Sequence, residues 1–261
     1  MAQGDVTVNR TQNDSHITPC FDGVDDFMST SGDDFNFGTN GDLSVSFWFL
    51  TRKNLAAATS RILSKTDLSP AGGWFIDITN NKVRFFTLLG ATYSATIDDA
   101  VIFLDNWVHI VVSVDRSVGT KIYINGSEVA VTETNPGNIN DDIDSGLTLQ
   151  FGKLDAQASN YIEGCLTDIQ VFKKAVNATE ASNLFNNIKV TDKLISRWNF
   201  EAGDYTDSFG SNDITNSGTV IGIHDDAIAA VVKDVRATAN DQYLIYDALH
   251  GGVGTVHIEE V

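Results

Sequence analysis

Short apolar runs separated by Gly, Asn and Asp make up most of the chain. The runs are rich in Val, Ile, Phe, Tyr, Trp and Thr, which are the residues that favour strands. The predicted strands are Leu43–Thr51, Arg61–Lys65, Trp74–Thr79, Lys82–Leu89, Tyr93–Ile97, Trp107–Val114, Lys121–Asn125, Leu147–Gly152 and Cys165–Phe172. Turn dipeptides such as Asn80-Asn81 and Asn125-Gly126 separate neighbouring runs. This pattern predicts antiparallel hairpins, because such dipeptides suit two-residue turns.

The run Leu43–Thr51 is apolar on both faces. Val45, Phe47 and Phe49 alternate along one face, and Trp48 lies on the other. Since neighbouring residues of a strand point to opposite faces, this run predicts a central strand that is covered on both sides.

One segment, from Asn177 to Phe185, has helical spacing instead. Asn177 or Thr179 can cap its N-terminus, and Glu180 lies in the first turn. Many evenly spaced strands with one short helix predict an all-β fold, an antiparallel β-sandwich with little room for βαβ units.

The order of these segments resembles the concanavalin A-like, laminin-G-like (pentraxin-type) jelly-roll family. The segments that carry the likeness are FDGVDDF at 21–27, SVSFWF at 44–49, ILSK at 62–65, WVHIVVSVD at 107–115, KIYING at 121–126, LQFGK at 149–153, YIEGCLTDIQVFKKAV at 161–176 and the helix at 177–185. The resemblance covers roughly residues 17–190. It implies two packed antiparallel sheets, one of them concave, with ligands on the concave face or at a loop edge.

Three regions follow from this resemblance. Residues 1–16 form an N-terminal arm, residues 17–190 the jelly roll, and residues 191–261 a β-rich C-terminal appendage, a candidate docking or oligomerisation segment. The family usually opens with a strand like LVSYWNFE, but here the similar LISRWNFE begins at residue 194, after the sandwich. This strand either returns to the vacant place in its own sandwich, starts a truncated second module, or pairs with a neighbouring subunit.

The charge of the chain argues against a nucleic-acid partner. The formal net charge is −18 at pH 7, which is unfavourable for binding phosphates. Seven of the 35 acidic residues are Glu, so Asp supplies the other 28. Asp favours turns, and the acidity is therefore expected on solvated loops, some of which could bind calcium. The polar N-terminus predicts no signal peptide, and no apolar run is long enough to predict membrane insertion.

The carboxylates lack the spacing of a glycosidase pair. Glucanases with this kind of sandwich use two carboxylates that project from one strand toward the same sugar. Glu128 and Glu133 flank a hairpin at odd spacing, Glu163 stands alone, and Asp77 has no acidic partner two residues on. No GxSxG or HExxH motif is present either, and His109 in its apolar strand is interpreted as structural. We therefore expect a protein that is not an enzyme.

The stretch FDGVDDF at 21–27 places three carboxylates close together. Asp22, Asp25 and Asp26 could hold a cation through their oxygens. They could equally accept hydrogen bonds from turn amides, with the two flanking phenylalanines anchoring strands in the core. The resemblance implies a structural Ca²⁺ where the first and last strands lie side by side, and it adds Asp168 to the candidate ligands.

A second acidic segment, NDDIDSG at 140–146, approaches an EF-hand loop but departs from it. Gly146 comes one place late, and Phe151 stands where a bidentate Glu is needed. This segment is interpreted as a solvated hairpin tip.

Two aromatic residues are candidates for sugar contact. Trp74 follows two glycines and Tyr93 follows a turn, whereas Trp48 and Trp107 are interpreted as core. The two cysteines, Cys20 and Cys165, are far apart in the chain. Two cysteines can form at most one disulfide, and here they are expected to be buried free thiols.

These features favour a non-catalytic surface-binding protein. The first setting is a virion structural protein of the capsid-decorating, head-fibre or tail-adhesin kind, made in the host cytoplasm, that contacts other assembly subunits, a surface glycan and its own copies. The alternative is a calcium-dependent carbohydrate-binding module of a secreted or cell-surface protein. A glycoside hydrolase is the least favoured.

Overall fold

The computed structural model describes most of the chain between residues 17 and 223. The described residues are 17–31, 33–51, 53–66, 72–88, 92–101, 103–154, 160–200, 203–223, 242–245 and 257–260. The N-terminal arm predicted at 1–16 lies outside the described residues.

The first of two large sheets, sheet A, contains the first strand and the long central strands. Its strands are β1 (Ile17–Asp22), β3 (Leu43–Leu50), β8 (Val108–Asp115), β9 (Gly119–Ile124), β10 (Ser127–Val129), β13 (Glu163–Phe172), β14 (Leu194–Trp198) and β16 (Val220–Ile223). Their order is β10-β9-β8-β3-β13-β1-β16, and β14 pairs with the second half of β13. All of these pairs are antiparallel.

The second large sheet, sheet B, packs against sheet A. Its strands are β2 (Phe27–Thr30), β4 (Thr59–Ser64), β5 (Trp74–Thr79), β6 (Lys82–Thr87), β7 (Tyr93–Ile97), β11 (Val131–Thr134), β12 (Leu149–Phe151) and β15 (Thr215–Ser217). Their order is β11-β7-β6-β5-β4-β12-β2-β15, again antiparallel throughout. Two further strands, β17 (Gln242–Ile245) and β18 (His257–Glu260), form a small antiparallel sheet of their own.

Helical structure is sparse among the described residues. It consists of the α-helix α1 (Ala178–Phe185) and two 3-10 turns, Asp33–Phe35 and Pro136–Asn138. The described part of the chain contains no helix that is long and apolar enough to cross a bilayer. The predicted antiparallel sandwich with one short helix is therefore confirmed.

The core lies between the two sheets and is made by alternate residues of their strands. Phe47 of sheet A and Ile76 of sheet B are both fully buried there. Trp198 on β14 packs edge-on against Phe151 on β12, with ring centroids 5.2 Å apart. Because alternate residues of each strand point inward, the other half of every strand forms the outer face of its sheet.

Strand β3 is covered on both faces, as its sequence predicts. Every residue of β3 is buried, and Trp48 points away from the main core. Its ring lies 5.7 Å from that of Phe185 on α1. The helix begins with a capping box in which Asn177 and Glu180 each accept the other's backbone N–H. Helix α1 therefore covers the outer face of sheet A.

The strands of residues 194–223 pair with the sandwich that precedes them in the chain. Strand β14 pairs with β13, β15 with β2, and β16 with β1. Gly218, with a φ of +100°, makes the turn that carries the chain from sheet B to sheet A. Residues 194–223 thus follow the first of the three alternatives, in which the strand docks on the sandwich that precedes it.

The two cysteines are joined in a disulfide, and the expectation of free thiols is wrong. Strands β1 and β13 pair in a register that sets Cys20 directly opposite Cys165. Sequence spacing alone cannot reveal this, since the two residues are 145 positions apart and only strand pairing brings them together.

Candidate binding face

The outer face of sheet B carries two rows of polar and aromatic side chains. The turn Asn80-Asn81, with φ of 52° and 59°, fixes the register of β5 and β6 by setting Thr79 opposite Lys82. We call the first row the arginine row; it contains Thr96, Arg84, Asp77 and Arg61. We call the second the phenylalanine row; it contains Ser94, Phe86, Phe75, Ser64, Gln150, Ser29 and Thr215. The phenylalanine row crosses seven strands, a width of about 29 Å at the usual strand spacing.

Two stacked phenylalanines form the centre of this face. The rings of Phe75 and Phe86 lie 4.8 Å apart and 7° from parallel. The guanidinium carbon of Arg61 lies 4.2 Å from the Phe75 ring centroid, and that of Arg84 lies 4.8 Å from the Phe86 centroid. Each guanidinium is thereby held against an aromatic face, which fixes the direction of its N–H groups.

A single carboxylate ties both arginines together. Asp77 is fully buried, and its two oxygens accept from Arg84 Nε at 2.8 Å and Arg84 Nη2 at 2.7 Å. Asp77 Oδ2 also accepts from Arg61 Nη1. Burial lowers the pKa of Arg61, an effect opposed by the negative charge of Asp77. The side chain of Arg84 remains 24% exposed, which makes it the accessible member of the group.

Neither aromatic residue predicted to contact sugar is available for such contact, and that prediction is wrong. Trp74 and Tyr93 are both fully buried in the core. Each occupies an inward position of its strand, one residue out of phase with the outer rows. Trp74 Nε1 donates to the carbonyl of Phe35, and the Tyr93 hydroxyl contacts Glu133.

A cavity of about 540 Å³ lies on the other side of the molecule, between α1 and the β9–β10 hairpin. Its carboxylates are already engaged. Glu133 accepts from the Tyr93 hydroxyl at 2.5 Å and from the Thr120 amide at 2.7 Å. Glu128 pairs with Lys121 at 3.1 Å. These two glutamates therefore serve the hairpin, and neither is poised as a free acid.

The three carboxylates of the opening turn do come together. One oxygen from each of Asp22, Asp25 and Asp26 lies within 4.8 Å of the others. Asp22 Oδ1 accepts from the amide of Val24 at 2.8 Å, and this lowers the pKa of Asp22. Asp26 Oδ2 accepts from the amide of Asp22, and burial raises the pKa of Asp26. The turn amides thus use part of the oxygen set, and the remaining oxygens face one another.

Asp168 lies apart from this cluster. Asp22 is opposite Glu163 in the β1–β13 register, so Asp168 is five residues, about 17 Å, further along β13. It sits at a bulge with a φ of 45°, and its carboxylate accepts from Arg197 Nε at 2.6 Å and Gln170 Nε2 at 3.0 Å. The geometry assigns Asp168 to the junction of β13 and β14, away from the opening turn.

Two cations of the protein hold the second acidic segment. The ammonium of the fully buried Lys65 donates to the carbonyls of Ser145 and Leu147, each at 2.8 Å. Arg116 donates to the carbonyl of Asp141. Carbonyl oxygens that a calcium loop would offer are therefore bound to a lysine and an arginine.

The sequence contains a signal for the outer face that a search for paired acids and exposed tryptophans overlooks. The strand WFIDIT, the turn Asn80-Asn81 and the strand KVRFFT form a two-residue hairpin. That turn alone sets Phe75 opposite Phe86 and Asp77 opposite Arg84. One of the flanking phenylalanines of the opening turn, Phe27, also lies on this face, where Lys153 Nζ is 3.7 Å from its ring centroid.

Comparison with known proteins agrees with this architecture. A laminin-G model described as the concanavalin A-like lectin/glucanases superfamily matches residues 22–182. No curated protein matches the chain.

Two solved structures share the fold. A candidate carbohydrate binding protein from Bacteroides ovatus ATCC 8483 aligns with a TM-score of 0.60 and 14% identity, over 80% of this chain and 61% of that one. The chain thus spans less than two thirds of that protein. A heptameric SAP-like pentraxin from Limulus polyphemus aligns with a TM-score of 0.57 and 14% identity, over 83% of this chain and 99% of that one.

Proposed function

Because the chain belongs to the concanavalin A-like lectin/glucanases superfamily, we propose that it is a non-catalytic domain that binds a saccharide on the outer face of sheet B. The observation that carries this proposal is the Phe75–Phe86 stack with its two fixed guanidinium groups. Saccharide sites combine an aromatic face with a few oriented polar groups, and this face offers both.

The carboxylates of this face support a binding role over hydrolysis. Among the described residues of the two rows, Asp77 is the sole carboxylate, and both of its oxygens accept from arginines. Glycoside hydrolysis by the usual mechanism needs a second carboxylate about 5–10 Å away. The protein is therefore proposed to hold a saccharide without cleaving it.

The test removes the half-buried ring of Phe86 and compares the result with removal of an exposed phenylalanine elsewhere. Phe86→Ala should lower the affinity for a saccharide found on a glycan array at least about tenfold, since the apolar contact with this ring and its support of the Arg84 guanidinium are lost. Phe209→Ala is the control, because Phe209 is 44% exposed and lies on the loop after β14. Equal affinity of the two variants, with both folded by circular dichroism, would reject the sheet B face.

Calcium at the opening turn is a separate proposal. Asp22, Asp25 and Asp26 have the hard oxygen donors that Ca²⁺ prefers, and Asp22 and Asp25 are both exposed. The fit is partial, since the described turn amides already use oxygens of Asp22 and Asp26. A Ca²⁺ ion would bind the remaining oxygens and fix the turn. Binding of Ca²⁺ is detected as a rise in melting temperature on adding CaCl₂, and Asp25→Asn should reduce that rise.

The setting is proposed to be the exterior of a virion or of a cell, where the sheet B face would meet surface glycans. The Cys20–Cys165 disulfide supports a location in which thiols oxidise. One argument for an oligomer no longer applies, because residues 194–223 pair within their own chain and not with a neighbouring subunit. Sedimentation velocity tests the proposed homo-oligomer, and a strict monomer at high concentration would reject it.

A further inference from the structure

The ion cluster in the arginine row carries an unbalanced positive charge. Arg61, Asp77 and Arg84 contribute two positive charges and one negative charge. Among the described residues, the charges that influence Arg61 are those of Asp77 and Arg84, with no second carboxylate beside them. This excess of one positive charge belongs to a chain whose formal net charge is −18. A cation that lacks an internal counter-ion in so acidic a protein points to an external one.

The carboxylate inside the cluster is already saturated, but the arginines are not. Asp77 accepts two bonds from Arg84 and one from Arg61. The buried Nε of Arg61 has no hydrogen-bond partner among the described residues, and Arg61 as a whole is 8% exposed. Because that Nε is enclosed, an external acceptor can approach the donors of Arg84 instead, which makes two bonds to Asp77 and has further N–H groups. The exposed part of Arg84 is where an acceptor can approach.

We infer that the sheet B face binds an acidic saccharide, one that carries a carboxylate on its sugar ring, as a hexuronate does. The sugar carboxylate lies against the exposed edge of the Arg84 guanidinium, whose planar fork suits a carboxylate better than a point charge would. The apolar part of the same sugar lies against the accessible edge of Phe86, since Phe75 and the Arg84 guanidinium already lie against the faces of that ring. This inference rests on the proposed function and names the chemistry of its ligand.

Nonspecific electrostatic attraction cannot account for this binding. At a net charge of −18 the protein repels polyanions as a whole, so an acidic polysaccharide that binds does so through a local site. The repulsion also predicts the salt response. Moderate salt screens the repulsion between the protein and the polysaccharide, whereas it screens the partly buried ion cluster much less, so the affinity should not fall when moderate salt is added.

The experiment compares one saccharide backbone with and without its charge. Titration calorimetry with oligogalacturonate and with its methyl ester, at fixed ionic strength, keeps the sugar ring and removes only the carboxylate charge. The acid should bind at least about tenfold more tightly than the ester, the usual margin for a hydrogen bond to a charged group. Equal affinity for acid and ester, or equal affinity for dextran sulfate, would overturn the inference.

A matched pair of variants locates the charge. Arg84→Gln leaves Asp77 neutralised by Arg61 and should bring the affinity for the acid down to that for the ester. Lys121→Gln removes the same charge from the exposed outer side of sheet A, where the side chain pairs with Glu128, and should leave the affinity unchanged. Equal losses in both variants would indicate a general charge effect and would also overturn the inference.

The outcome separates this inference from the proposal on which it rests. If neutral glycans bind and Phe86→Ala weakens them, while oligogalacturonate and its ester bind alike, the sheet B face is a saccharide site without the acidic preference. If neither neutral nor acidic saccharides bind the folded protein, both the inference and the proposed function are rejected.

Discussion

The outer faces of the two sheets differ in what lies on them. On sheet A the outward residues include Val111, Tyr123 and Phe172, which pack with α1 into a second apolar cluster. On sheet B the outward residues include Arg61 and Arg84, which lie over phenylalanine rings. Both faces are products of the same two-residue alternation along strands. The difference shows that one face was built to be covered by the chain itself, and the other to carry polar chemistry.

This difference has an energetic side. The cluster beneath α1 removes apolar surface from water, which stabilises the fold by about 25 cal/mol per Å² buried. The arginine row instead buries charges whose desolvation offsets much of their mutual attraction. We therefore expect substitutions beneath α1 to change stability and spare ligand binding, and substitutions at the two accessible residues of the sheet B rows, Arg84 and Phe86, to change binding more than stability.

The largest effect on stability is expected from removing the disulfide that ties β1 to β13 in sheet A. Cys20→Ser with Cys165→Ser should lower the free energy of unfolding by about 4 kcal/mol, because the bond closes a loop of about 145 residues in the unfolded chain. Urea unfolding of the wild type with and without reductant measures the same quantity independently. A variant that unfolds at the wild-type midpoint would contradict the prediction, and the folded variant should keep its saccharide affinity.

The second effect concerns the covered face directly. Leu184→Ala, in the last turn of α1, removes a side chain that is 3% exposed and should cost about 3 kcal/mol. Saccharide affinity should not change, since sheet A and the core lie between α1 and the sheet B rows. Phe86→Ala is the counterpart: it should lower the urea midpoint less than Leu184→Ala does and lower the affinity at least about tenfold. If Leu184→Ala weakened binding as much as Phe86→Ala, the contrast between the two faces would fail.

The third effect is a pH dependence beneath α1. His109 is 1% exposed, packs between Trp48 and Phe185, and is bonded through Nε2 to Ser46. Burial lowers the pKa of His109 to about 3. The unfolded chain takes up this proton near pH 6.5 and the folded protein does not, so the stability due to His109 is complete above that pH and is lost as the pH falls.

The size of this effect follows from the two pKa values. Between pH 7 and pH 5 the wild type should lose about 2 kcal/mol that His109→Gln does not lose. Urea midpoints at several pH values measure the difference between the two proteins, which cancels the contribution of the carboxylates. Parallel curves for the two proteins would mean that His109 is not buried in its neutral form.

The sandwich itself could be read from the sequence because strand alternation is local. Trp74–Thr79 and Tyr93–Ile97 are strands with the bounds that their patterns predict, and the helix has the predicted cap at Asn177. What could not be read depends on pairing between distant strands. The Cys20–Cys165 bond and the return of residues 194–223 depend on which strand lies beside which, whereas the inward facing of Trp74 follows from the alternation that it shares with Ile76 and Ile78.

The candidate site shows the same division. Asp22, Asp25 and Asp26 cluster because they share one turn, which a local pattern reveals. The resemblance implies that Asp168 joins them, but the bulge in β13 directs it to Arg197 instead. Local chemistry was therefore predictable, and the sharing of a site by distant residues was not.

The smallest effect on stability tests that last assignment. Asp168→Asn should lower the free energy of unfolding by about 1–2 kcal/mol, because it weakens a charged hydrogen bond to Arg197 while Asn still tolerates the left-handed backbone. The loss should be the same in CaCl₂ and in chelator, since Asp168 lies about 17 Å from the opening turn along β13. Asp25→Asn is the matched control, and any change that it causes should appear in CaCl₂ alone. Thermal melts of both variants in both buffers give the answer. A loss for Asp168→Asn that disappeared in chelator would return this residue to the calcium site and make the edge of sheet A, rather than the face of sheet B, the place to look for a ligand.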